Sequence, residues 1–259
     1  YFKIKKIDLD LKSIFSFEIN DKFRFNNLNI QSKADLNQLV LTNNFKTNQF
    51  FPNIKNLIEF KKHKVEINFD KKGLFIKGYG DVLLQDKYDK INYTFKNKKN
   101  IFNFHTKIEI EKNLLIIDSL NFKNNNKVKT ILEIKGQKKF NDYTKFTSFL
   151  LKDEVNNIEI NEIFFNKNNK FVNLKKANFN YLDDENFKNK FQIINKNNEY
   201  FLNGKFINAN KTVEKLLFSE NDDKLNFFDK EFKLNIKIDK VHLDKDTTIN
   251  NIKGNLLFK

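Results

Sequence analysis

Apolar residues alternate with Lys, Asn and Asp along nearly the whole chain. Phe15/Phe17/Ile19, Val65/Ile67/Phe69, Ile91/Tyr93/Phe95, Ile108/Ile110, Ile158/Ile160, Phe232/Leu234/Ile236/Ile238 and Leu256/Phe258 all recur with a period of two. Side chains two apart project from the same face of a strand, so each run describes a ribbon with one apolar and one polar face. The pattern predicts a mainly β chain of antiparallel sheet.

Residues 2–31 read as three strands, with turn signals at Asn20-Asp21 and Asn26-Asn27. Residues 33–45 read as a short helix or an irregular crossing, and Pro52 belongs in a connection because it cannot donate to a ladder. Asp70-Lys71-Lys72-Gly73 reads as a hairpin turn between Val65–Phe69 and Leu74–Tyr79. Strands are expected near 90–97, 100–110, 113–123 and 127–136, then near 155–165, 170–182, 186–195, 198–207, 231–243 and 247–258. Two segments break the alternation. Tyr143, Phe146, Phe149 and Leu150 have helical spacing within 142–152, and Asn208 is placed to cap a helix over Ala209–Phe218 with Val213, Leu216 and Leu217 on one side.

That makes roughly sixteen strands and one or two short helices. At ~4.8 Å per strand, a single open sheet would span about 75 Å. Two helices cannot cover so much apolar face, so the sheet must fold on itself as a sandwich or barrel, or curl into a trough around something apolar.

The net charge of +15 raises nucleic acid as a partner, but Arg24 is the single arginine among 48 basic residues. Bidentate recognition of phosphates and bases favours guanidinium. A chain rich in Lys, Asn, Ile and Phe, with one Pro and no Trp or Cys, fits AT-rich codon usage better than a nucleic-acid site. The absence of Cys removes disulfide and thiolate chemistry without choosing a compartment. Leu114-Leu115-Ile116-Ile117 is the longest purely apolar run, far short of the ~20 residues of a membrane-crossing helix.

Catalytic constellations are not legible. His63, His105 and His242 stand apart, with no partner at metal-ligand spacing. Gly78-Tyr79-Gly80 lacks the third glycine and following helix of a phosphate cradle and reads as a bulge or bend. Asp183-Asp184-Glu185, Asp222-Asp223 and Asp244-Lys245-Asp246 read as solvated turns. No cofactor, metal or catalytic residue is assigned. The 31 Phe fit either a codon-biased core or a surface for acyl chains.

The stretch Tyr200–Ala209, the long alternating strand Phe232–Leu243 with its Asp239-Lys240-Val241, and the final Asn251-Ile252-Lys253-Gly254-Asn255-Leu256 together resemble the recurring unit of AsmA-like proteins of the YhdP type. Asn68-Phe69-Asp70 leading to Gly73 and Gly78 looks like the hairpins of the same group. The match is good over 198–259 and loose over 64–136. The resemblance implies a long, strongly twisted antiparallel sheet curled into an open groove. It also implies a periplasmic protein, anchored to the inner membrane by a segment outside this chain, that carries phospholipid toward the outer membrane without catalysis.

On this reading residues 1–259 are a fragment of a longer β-groove protein, with sub-units 1–140 and 141–259, an expectation also drawn from the absence of any Met. The expected groove lining is Val65, Ile67, Phe69, Ile91, Tyr93, Phe95, Phe232, Leu234, Ile236 and Ile238. Two rival readings are an adhesive β-sandwich array with no apolar cleft and a β-barrel or β-helix hydrolase.

Overall fold

The computed structural model describes residues 3–42, 51–211, 231–244 and 246–258. The chain divides into two compact units: 1–115 with 125–140, and 116–124 with 141–259.

The first unit holds β1 (Ile4–Ile19), β2 (Phe25–Thr42), β3 (Leu57–Asp70), β4 (Gly73–Leu83), β5 (Tyr88–Lys98), β6 (Ile101–Ile110) and β9 (Thr130–Lys139). They lie side by side in that order, each pair antiparallel. The second unit holds the small hairpin β7 (Ile116–Ile117) and β8 (Phe122–Lys123), joined by a 3-10 turn at Asp118–Leu120. Its main strands are β10 (Tyr143–Lys152), β11 (Asn157–Asn166), β12 (Phe171–Leu182), β13 (Lys188–Lys196), β14 (Glu199–Asn208), β15 (Phe232–His242) and β16 (Thr248–Phe258), again in chain order. The fold is mainly β, and its sheet is open rather than closed into a barrel.

One pair departs from the antiparallel expectation. β14 and β15 run parallel, as the long connection 209–231 allows, since only a crossover brings a strand back in the same direction.

Three expected elements are corrected. Residues 33–42 extend β2 rather than forming a helix or an irregular crossing, and the span 2–31, expected as three strands, holds β1 and the first part of β2. Alternation decided this: Ser32, Ala34 and Leu36 are buried while Gln31, Lys33 and Asp35 are exposed. Residues 143–152 form β10, not a helix. Phe149 lies opposite Ile160 and Leu151 opposite Ile158, and tertiary pairing outweighs a local 3.6-residue spacing. The expected strand at 113–123 is instead the short β7–β8 hairpin with its 3-10 turn.

Asn208 Oδ1 accepts the N–H of Asn210 at 3.1 Å, the contact expected of a helix cap. The rest of that expected helix, with Val213, Leu216 and Leu217, lies outside the described residues, as does the Asp222-Asp223 turn.

Candidate lipid-facing sheet surface

Residues opposed across a ladder share a face, so strand register assembles the apolar surface row by row. In the first unit Val65 faces Ala34 and Gly78, and Gly78 faces Tyr93. One row further along, Ile67 faces Ile76, Ile76 faces Phe95, and Phe95 faces Phe104. Phe69 faces Ile30 and Leu74. Ile91 faces Gly80 and Ile108, and Ile108 faces Leu132. All six lining residues expected in this unit therefore sit on one face.

The second unit repeats the arrangement with its own residues. Ile238 faces Gly204 and Ile252, and the row continues through Phe191 and Phe179 to Ile158 and Leu151. Ile236 faces Leu202, whose row continues through Ile193 and Ala177 to Ile160. Leu234 faces Tyr200, and the Phe232 ring meets the Tyr200 ring edge-on at 5.3 Å. Phe232, Leu234, Ile236 and Ile238 thus share one face of this unit.

Each face has a covered end. In the first unit the connections supply Phe51, Leu84 and Leu115, all buried, and Val82, Ile91 and Ile110 near the adjoining ends of β4, β5 and β6 are buried too. Gln85 ties these connections together: its Oε1 accepts the N–H of Leu114 at 2.9 Å, and its Nε2 donates to the carbonyls of Leu114, at 3.0 Å, and Pro52. In the second unit Ile117 and Phe122 from the β7–β8 hairpin are buried. Phe122 packs edge-on against Tyr181, and the Tyr181 hydroxyl donates to the Leu120 carbonyl at 2.8 Å.

Away from the covered end each face opens. Ile67, Ile76, Phe95 and Phe104 lie on interior strands yet are only half-buried, and Phe69 is 38% exposed. Ile160, Ile193, Leu202 and Ile236 are likewise half-buried in the second unit. An interior strand's apolar side chain is normally buried when another layer packs on it. Within each unit, among the described residues, strands make their main contacts with ladder neighbours rather than with a stacked second sheet.

Ring-to-ring contacts run along both surfaces. Phe60, His63, Tyr93, Phe95, Phe102 and Phe104 form one chain of contacts with centroids 5.4–6.4 Å apart. Phe146, Phe165, Phe171, Tyr200 and Phe232 form another, with centroids 5.3–6.5 Å apart. The alternation hid Phe60 and His63, because a register shift between Lys61 and Lys64, with Lys62 at φ 52°, changes the phase of β3.

Gly78 and Gly80 keep a regular register with β5, but Gly80 lies opposite the bulge in β3, where Lys62 and His63 fall between the pairs Lys61–Asp81 and Lys64–Tyr79. Both glycines make room for rings. A Cβ on Gly78 would lie 2.5 Å from the Tyr93 ring, and one on Gly80 would lie 2.2 Å from the His63 ring. Covering a bare strand glycine with a cross-strand aromatic is a known stabilising device in sheets.

The opposite face of the first unit is polar and ion-paired. Asp35 meets Lys64 at 2.6 Å, Glu133 meets Lys135 and His105 at 2.7 Å, and Glu109 meets Lys107 and Lys129 at 2.9 Å. Such exposed pairs add little stability.

Asp183 is not the solvated turn that its sequence suggests. It is buried, and its carboxylate accepts from the N–H groups of Glu185 and Phe187 and from the amides of Asn189 and Asn208, at 2.8–3.1 Å. Asp89 plays the equivalent part in the first unit, accepting from Asn113 and the Glu111 N–H. Burial raises the Asp89 carboxyl above its usual range against these lowering hydrogen bonds. Among the described residues no group of three or more His, Asp or Glu is placed to hold a metal ion.

Comparison with known protein families, with curated proteins and with solved structures returns no match.

Proposed function

We propose that this chain shelters the acyl chains of phospholipid on its open apolar face and serves as a segment of an AsmA-like lipid-transfer protein. The observation that carries this reading is the half-buried state of Ile67, Ile76, Phe95 and Phe104 on interior strands. Each acyl CH₂ removed from water gains ~0.8 kcal/mol, so a two-chain lipid laid across these rows has a strong reason to stay. Many similar weak contacts with no single anchoring group favour sliding over capture. No helix among the described residues is long and apolar enough to cross a membrane, and the proposal places the inner-membrane anchor elsewhere in a periplasmic protein.

The test is native mass spectrometry of protein purified without detergent, with lipid extraction and quantification. Co-purified phospholipid, lost in Ile67→Glu and Ile236→Glu while circular dichroism stays unchanged, supports the reading. Folded wild-type protein that carries no lipid and takes none from vesicles removes it and leaves the adhesive-array reading.

A further inference from the structure

The polar face of the second unit bears a concavity of about 450 Å³. Its floor is a single ladder row: Asn178 faces Gln192, Gln192 faces Asn203, and Asn203 faces Lys237. Three amides and an ammonium thus stand side by side on β12, β13, β14 and β15, ~4.8 Å apart.

These amides are idle. Asn178, Gln192 and Asn203 are half-buried, yet their side chains make no hydrogen bond among the described residues. Geometry does not forbid such bonds, since Asn195 donates to Asn173 at 2.7 Å across the same β12–β13 pair. Lys190, Lys205 and Lys237 also line the concavity, against Asp239 as the one acid. None of the three lysines has an ion-pair partner among the described residues.

We infer that this concavity is a binding site for an acidic saccharide. An amide offers a donor and an acceptor together, which matches a sugar hydroxyl that both gives and takes a proton. The unpaired ammonium groups supply charge-assisted bonds to a carboxylate. Single-stranded nucleic acid fits less well, because the row supplies neither arginine nor a stacking platform. Asn178, Gln192, Asn203 and Lys237 are one residue out of phase with the Phe179–Phe191–Gly204–Ile238 row, three of whose members also border the concavity. The amide row therefore projects from the other face, and its binding is tested separately from lipid.

The experiment is isothermal titration calorimetry of the full chain with tetragalacturonate, with the neutral galactose tetramer, and with oligouridylate. The acidic tetramer is expected to bind saturably and at least tenfold more tightly than the neutral one. Gln192→Leu should weaken it about fivefold, the worth of one hydrogen bond, with Asn203→Ser as a second variant of smaller change. Three results overturn the inference: no saturable binding, tighter binding of oligouridylate, or uronate binding that salt abolishes and Gln192→Leu leaves unchanged. The last would mean Coulombic attraction to a chain of charge +15 and nothing more.

Discussion

His63 and Gly80 occupy one space: the imidazole of β3 lies where a side chain on β4 would stand, 2.2 Å from the position of a Cβ. The ring is almost fully buried. Its Nε2 donates to the Asp81 carbonyl at 2.9 Å, so Nδ1, 3.3 Å from the Tyr93 hydroxyl, is left as the acceptor. The histidine is held at both nitrogens, and its burial favours the neutral form. Gly80→Ala should cost about 1–3 kcal/mol by overpacking, read as a lower urea midpoint with an unchanged slope. An unchanged midpoint would show that the ring moves aside freely.

Burial lowers the His63 pKa from 6.5, against a raising contribution from the Asp81 carbonyl. An unfolded chain takes up a proton as pH falls through 6.5 and the folded chain resists it, so stability is full above 6.5 and declines on acidification. The slope for one such group is at most ~1.4 kcal/mol per pH unit. His242, lowered by burial and then by Lys240, acts in the same direction. His63→Phe should therefore reduce, without abolishing, the loss of stability between pH 7 and 5. Equal slopes in variant and wild type would exclude His63 as a source.

Asp183→Ala removes the acceptor shared by two backbone N–H groups and two amides, one of them the buried Asn189. Leaving such donors unsatisfied should cost about 3 kcal/mol. Hydrogen exchange should localise the effect to the β12–β13 connection, and protection unchanged at Glu185 and Phe187 would contradict the clamp.

Hydrogen bonds from Lys145 and then Lys175 hold Glu162 down at about 2. A carboxylate depressed from 4.5 contributes stability that is present above 4.5 and lost as pH falls toward 2. Its side chain is 37% exposed, so screening keeps the effect small. Glu162→Gln should lower stability by less than ~1 kcal/mol at pH 7, and the difference should shrink steadily as pH falls from 4.5 through 2. A constant difference across that range would point to packing instead of charge.

Ile158 and Ile67 are both apolar-face residues of interior strands, but Ile158 is fully buried and Ile67 half-exposed. Ile158→Ala should cost about 2–5 kcal/mol, and Ile67→Ala about 1 kcal/mol. Comparable losses from denaturant melts would mean that the Ile67 row is covered in solution and no lipid reaches it.

Much of the fold is legible in the alternation because burial on one face enforces a period of two. Strands β4 to β6 and β11 to β16 lie close to where that period places them, while β3 begins at Leu57, eight residues before the expected Val65. It misleads at Tyr143–Lys152, where Tyr143, Phe146 and Phe149 mimic helical spacing in a strand. Asp183 was equally opaque: an acid in a turn looks the same whether water or four protein donors satisfy it. The part of His63 in the aromatic chain was hidden by the register shift at Lys61–Lys64.

Composition and period thus suffice to establish an all-β chain with one oily and one polar face, since those properties arise from neighbours two apart on the same strand. Which rows are sealed and which stay open depends on contacts between segments far apart in the chain, such as Phe122 against Tyr181 and Gln85 with Pro52 and Leu114. The parallel return of β15 onto β14 and the idle amide row from Asn178 to Asn203 depend likewise on pairings between distant segments. Long-range register is set by the summed contacts of whole strands, and no local stretch carries that sum.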